Sequence, residues 1–314
     1  MPWHVAPLAA SNDSLSKSSL NLTGPNAQDT MELVSGAAAG VSQADLYLLG
    51  ATDGQESLGE EDIVAIGARS FTGADVSDGN AEGVPEGNDA LGGVDWLGFL
   101  SDPDPPSDPI EFGVQNAAVH NTTATHEIDV LVDTGADGAY AGDDEGIPAD
   151  YLLVKQPAAG GEVCVFDLSQ PNALDDCTAT YFADYSNYNS NVTGIVVGAG
   201  DVGLTNANSK LAYQVTSCTG TFSGDVPGQF CDTAGDEGSD GVYGPKLDAA
   251  HPALDISPVA CKGFWGGSSC AGADAITVKK GTGAGAGSDP SILALFPQNV
   301  PTRTPTVVTT YTTP

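Results

Sequence analysis

The sequence predicts an all-β protein: two or three immunoglobulin-like or jelly-roll-like β-sandwich modules, with long loops and short-range disulfides. Three observations lead there. The 314 residues include 40 Gly and 20 Pro, with many Thr, Ser and Asn, which cut the chain into short pieces and leave little room for long helices. Apolar residues alternate with polar ones, the period of a strand with one face in a core. The six cysteines fall as three neighbouring couples, each bracketing a strand-like stretch or a loop.

Charge narrows the function classes. Nine basic residues stand against 42 acidic ones, a formal net charge of −33. Nucleic acid and anionic membranes both require Lys/Arg patches, so neither is an expected partner. No run of eighteen apolar residues occurs, so no membrane span is expected. The opening MPWHVAPLAAS has no basic n-region or long apolar h-region and is not expected to act as a secretory signal.

Taken in order, residues 1–29 are extended and polar. Short strands are expected at Met31–Val34 and Ala44–Leu49. Ile63–Ala68 is a buried strand or one short helix, since periodicity does not decide at that length. Asp75–Gly93 is a long acidic loop, and Val94–Leu100 carries the core aromatics Trp96 and Phe99. Ser101–Pro109 (SDPDPPSDP) is the expected boundary, because a Pro-rich acidic stretch does not pack. The modules are therefore 1–104, 105–252 and 253–300, the last either a third module or a completion of the first. Residues 301–314 form an extended Thr/Pro-rich tail. Its segment Thr306–Thr313 alternates and favours β structure. It is disordered, glycosylated, or an added strand in a neighbouring subunit.

The central module is organised around His126–Val154. Ile128, Val130 and Val132 point one way; Glu127, Asp129, Leu131 and Asp133 point the other. A glycine-rich acidic loop follows, with Asp133, Asp137, Asp143, Asp144, Glu145 and Asp150, and Tyr151–Val154 returns. Carboxylates on such a loop can supply the six to eight oxygens that calcium takes. The alternative is a solvated acidic turn. The spacing is not that of an EF-hand. Asp232–Gly241 is a second acidic loop, read as a solvated turn because no strand pair frames it.

Sequential disulfides are expected at Cys164–Cys177, Cys218–Cys231 and Cys261–Cys270, in an oxidising compartment. No C-x-x-C occurs, which argues against zinc. Sequons at Asn12, Asn21, Asn121 and Asn191 are candidate glycosylation sites and point to the cell exterior or surface. No histidine sits in a catalytic context, and GGSSC (266–270) lacks the G-x-S-x-G turn.

Several stretches resemble the region that follows the catalytic domain in secreted bacterial subtilisin-like serine proteases. PWHVAPLAA resembles that region's "VPWHVLPRKAA" segment, and residues 48–71 its "GLTDP…GEADVRAVGVQSF" block. Residues 110–138 are similar to "FGINTYGRWSTPNEFDVYIDTDGDG", ADYLLV (149–154) to "PDYVLF", and DAAHPALDIS (248–257) and SILALFPQN (291–299) to its closing segments. The resemblance implies immunoglobulin-like sandwiches and a calcium turn to which Asp133, Asp137 and Asp150 correspond. Gly135 stands where the family has Asp or Asn, and 139–147 is an insertion. None of the subtilase catalytic motifs is present in the chain.

The expected function is that of a non-catalytic extracellular accessory region, stabilising or positioning an upstream protease domain and binding calcium. The alternative is an extracellular structural protein that self-assembles into a filament or surface layer by exchange of terminal strands.

Overall fold

The computed structural model describes residues 12–24, 26–34, 42–53, 61–70, 109–118, 126–142, 147–156, 162–184, 191–219, 230–236, 241–256, 259–262, 264–265, 268–269, 275–283, 289–296 and 304–311. The fold is all-β; the described residues contain no α-helix, and a 3-10 turn spans Ala199–Val202. The strands are β1 (Ser14–Leu15), β2 (Ser19–Asn21), β3 (Gln28–Val34), β4 (Ser42–Thr52), β5 (Ile63–Ser70), β6 (Pro109–Asn116) and β7 (His126–Thr134). They continue with β8 (Tyr151–Lys155), β9 (Glu162–Asp167), β10 (Ala179–Asp184), β11 (Val192–Gly198), β12 (Lys210–Thr219), β13 (Phe230–Ala234) and β14 (Lys246–Asp248). The last third holds β15 (Leu254–Ile256), β16 (Val259–Lys262), β17 (Phe264–Trp265), β18 (Ser268–Ser269), β19 (Ala275–Lys280), β20 (Ser291–Leu295) and β21 (Thr306–Tyr311). Ile63–Ala68, ambiguous by periodicity, is strand: Val64 and Ile66 are β-branched and the whole segment is buried, which suits a strand covered on both faces.

Two cores organise these strands. The larger is enclosed by the run β5–β6–β11–β10–β9–β8–β7–β12–β13. Ile63, Ile66 and Ala68 meet Phe112, Val130, Leu153, Val165, Ile195, Leu211 and Val215 inside it. The two ends of the run approach each other, since Asp232 on β13 accepts a hydrogen bond from the backbone N–H of Ile63 on β5. The run thus curls back on itself around the larger core. The second core lies between the four-stranded sheet β1–β3–β19–β15 and the continuation β4–β20–β21–β2. Leu20, Met31, Leu33, Leu46, Ile276, Val278, Ile292 and Val308 fill it.

This places the expected module limits differently. β5 precedes the Pro-rich stretch, yet it hydrogen-bonds to β6 from Ile63↔Asn116 to Ser70↔Ile110 and packs in the larger core. The divide between the two cores therefore runs along β4 rather than at 104/105: Leu46 belongs to the smaller core, and Leu48 touches both. The described residues of 253–300 complete the smaller core, which they share with the N-terminal strands, instead of forming a third. Tail strand β21 also joins this core within its own chain, pairing with β20 and, in parallel, with β2.

Where β4 joins the two halves, an ionic cluster is buried in the sheet. Arg69 lies 2.6 Å from Glu111 through Nε, and Tyr47 Oη donates to the other oxygen of Glu111 at 2.7 Å. The guanidinium sits 4.5 Å from the centre of the Tyr47 ring. Pairing and hydrogen bonding together make such buried charges tolerable.

Cys164–Cys177 and Cys218–Cys231 are disulfide-bonded. The first ties β9 to the turn before β10; the second staples directly opposed residues of β12 and β13. Cys261 lies on β16, and Cys270 is outside the described residues. Among the described residues, no helix is long and apolar enough to cross a membrane.

Candidate functional site

The β7–β8 hairpin carries the acidic loop. Its strands pair from Ile128↔Lys155 to Val132↔Tyr151, which puts Asp133 at the end of one strand and Asp150 just before the other. Asp150 clamps the loop: its Oδ2 accepts from the backbone N–H of Thr134 at 2.8 Å and its Oδ1 from that of Ala141 at 2.7 Å. Asp133 Oδ2 accepts from Gly138 N–H at 3.0 Å, and Asp137 Oδ1 from Ala139 N–H at 3.0 Å. Between them Gly135 has φ +104°. That conformation disfavours a side chain, so glycine suits this position. Asp143, Asp144 and Glu145 lie outside the described residues.

Asp133 is fully buried, and its Oδ1 has no hydrogen-bond partner among the described residues. Burial pushes its carboxyl above the ordinary range, Asp150 and Asp137 push the same way, and the N–H groups of Gly138 and Asp137 oppose them. Asp150 is raised too, chiefly by burial. Such a carboxylate calls for a proton or a cation. Taken alone, the described residues contain no group of three or more His, Cys, Asp or Glu arranged to hold a metal ion.

The second acidic loop is not isolated. β13 and β14 flank it and both pair with β12, a frame that the short, poorly alternating FCDTA and KLD segments concealed. It packs on the first loop: Tyr140 Oη donates to Gly241 O at 2.5 Å, Tyr243 Oη donates to Pro148 O, and the two rings lie 5.7 Å apart.

One pair was missed by sequence reasoning. His126 Nε2 is 2.8 Å from Ser217 Oγ, which also accepts from Asn116 Nδ2 at 2.9 Å. Lys155 Nζ donates to the His126 carbonyl at 2.9 Å. The residues are far apart in sequence, and only the β7–β12 register unites them. His126 and Ser217 are both 0% exposed, so this hydroxyl–imidazole pair is reached by a substrate only if the sheet opens. It caps one end of the larger core as a hydrogen-bonded polar cluster.

Of the sequon residues, Asn12 and Asn21 are exposed. Asn191 is buried, with its amide donating to the Asn116 carbonyl at 2.7 Å, so a glycan there would have to displace that bond. Asn121 lies outside the described residues.

No protein-family model, curated protein or solved structure matches this chain.

Proposed function

We propose that the chain is a non-catalytic, extracellular β-sandwich region of the kind that accompanies secreted subtilisin-like proteases, stabilising or positioning its neighbour, with calcium at the β7–β8 loop. Asp133 carries the reading: a buried carboxylate with one oxygen lacking a donor among the described residues, on a turn shared with Asp137 and Asp150. Calcium would supply the missing countercharge and lock the turn. Asp133, Asp137 and Asp150 would hold it, with Asp143, Asp144 and Glu145 of the same loop as further oxygen donors. Two disulfides support an oxidising, extracellular setting.

Thermal unfolding with calcium and with chelator tests the site. Calcium at about 100 times its dissociation constant should stabilise by about 2.7 kcal/mol, and Asp133→Asn should abolish most of that gain. No shift in the wild-type chain would remove calcium from the proposal. The protease association is tested separately by the reading frame adjoining residue 1. A subtilase domain there supports it, and its absence withdraws it.

A second reading, an extracellular structural protein that self-assembles, is favoured by one observation: β21 completes the smaller core by lying between the edges of β20 and β2.

A further inference from the structure

β21 fills a slot. It pairs antiparallel with β20, from Ser291↔Thr309 to Ala294↔Thr306, and parallel with β2, from Ser19↔Thr309 to Asn21↔Tyr311. Val308 and Thr310 point inward and are enclosed, while Thr309 and Tyr311 face outward, Tyr311 being 54% exposed. Across the slot Val308 faces Ile292, and Thr310 faces Leu20. Without β21, two strand edges and one side of the smaller core would open to water, an arrangement that captures an extended segment.

The connection permits exchange. Residues 296–305 join β20 to β21 and include Pro297, Pro301 and Pro305. Ten residues reach up to about 33 Å when extended, and prolines favour extended chain.

Charge points to the same seam. From Pro290 to Pro314 there is no Asp or Glu and a single Arg303, in a chain with 42 acidic residues. β2 (Ser-Leu-Asn) is uncharged as well. The repulsion that keeps copies apart over the rest of the surface is weakened along β20 and β21; on the far side of β2, Asp29 accepts from Asn21 N–H and pairs with Lys17, so its charge is offset there.

We propose that β21 of one chain enters the β20–β2 slot of a second copy. The partner is the same protein, because the slot already fits this strand residue for residue. Donor and slot are different surfaces, so the contact is head-to-tail and propagates into a filament or closes into a ring. This rests on the self-assembly reading and is independent of calcium.

The test uses two full-length variants, Ser291→Cys and Thr309→Cys, which place one new thiol each on directly opposed positions, half-buried and exposed respectively. They are mixed natively, and in parallel co-refolded with the native disulfides intact, then oxidised mildly. Exchange yields a disulfide-linked band at twice the monomer mass in the mixture, rising with protein concentration and absent from either variant alone. The double variant reports the unexchanged pairing by closing within one chain. A mixture that stays monomeric while the double variant closes internally overturns the proposal, as does a double variant that forms neither an internal nor an intermolecular disulfide. Size-exclusion of the same samples separates the two ideas. Oligomers without cross-links sink strand exchange alone, whereas monomers throughout sink self-assembly too.

Discussion

Asp232 Oδ2 lies 2.7 Å from the backbone nitrogen of Ile63, joining two residues 169 apart in sequence across the seam of the larger core. The same carboxylate accepts from Thr233 N–H through its other oxygen at 2.9 Å. Ile63 opens a strand whose side chains are buried, so its N–H needs an acceptor and Asp232 supplies a charged one. Asp232→Ala should cost about 1.5–3 kcal/mol, while Asp232→Asn, which keeps an oxygen acceptor, should cost less. Urea midpoints of the two variants check this. Equal losses would show that the carbonyl-type acceptor does not matter.

Tyr213 has a fully buried hydroxyl without a hydrogen-bond partner among the described residues, at the bulge of β4 beside Gly50. A Cβ on Gly50 would stand 2.3 Å from that oxygen, so a side chain there forces one of the two to shift. Burial also drives the phenol's pKa upward. Removing the hydroxyl releases an unsatisfied polar atom and leaves the ring packed edge-on to Phe112 at 5.1 Å. Tyr213→Phe should therefore be neutral or stabilising by about 1 kcal/mol, and Gly50→Ala destabilising, both measured by thermal melting. In the Tyr213→Phe background, Gly50→Ala should cost less, because the clashing atom is gone.

These two contacts also mark how far the sequence could be read. Alternation located β7 and its inward Ile128, Val130 and Val132, because that signal is local, yet it set Glu127, Asp129 and Asp133 on the opposite face, and all three are buried too. Which faces become covered depends on strands distant in the chain, and the period of two does not encode that. The Pro-rich stretch shows the same limit: composition reports a local break, whereas β5 finds its neighbours β4 and β6 through long-range hydrogen bonds that composition does not encode. The cysteine spacing did carry the Cys164–Cys177 and Cys218–Cys231 pairs, since each lies within one small loop. The carboxylates at 133, 137 and 150 were legible as a loop cluster; that Asp150 spends both oxygens on backbone N–H groups was not.

Asp129 is nearly buried, and burial, reinforced by Glu127, holds its carboxyl well above the ordinary range. A raised carboxyl favours the folded state in its protonated form. Its contribution is fully present below the unfolded value of about 4 and is lost as pH rises through the folded value. The chelated protein should therefore gain stability on mild acidification from neutral pH, with Asp133, Asp150 and Asp232 shifted in the same direction. The lowered groups Asp29, Asp167 and Asp248 oppose this, but they are partly exposed and screened. Asp129→Asn should raise stability at pH 7 by on the order of 1–2 kcal/mol and flatten the acid-side gain. A pH–stability curve unchanged by the substitution would mean that Asp129 does not titrate differently on folding.

Cys218 and Cys231 face each other across β12 and β13, and the next residue, Asp232, holds the seam to β5. One strand is thus fixed covalently on one side and by a charged hydrogen bond on the other. Replacing both cysteines with serine removes a crosslink spanning 13 residues, which should cost about 3 kcal/mol through the unfolded state. If the crosslink also holds Asp232 in place, its loss lets β13 move away and takes the Ile63 contact with it. The Asp232→Ala penalty should then shrink in the disulfide-free background, giving a coupling of about 0.5–3 kcal/mol in a double-mutant cycle. Losses that simply add would show that backbone pairing with β12 alone keeps β13 in register, and that the staple acts only on the unfolded chain.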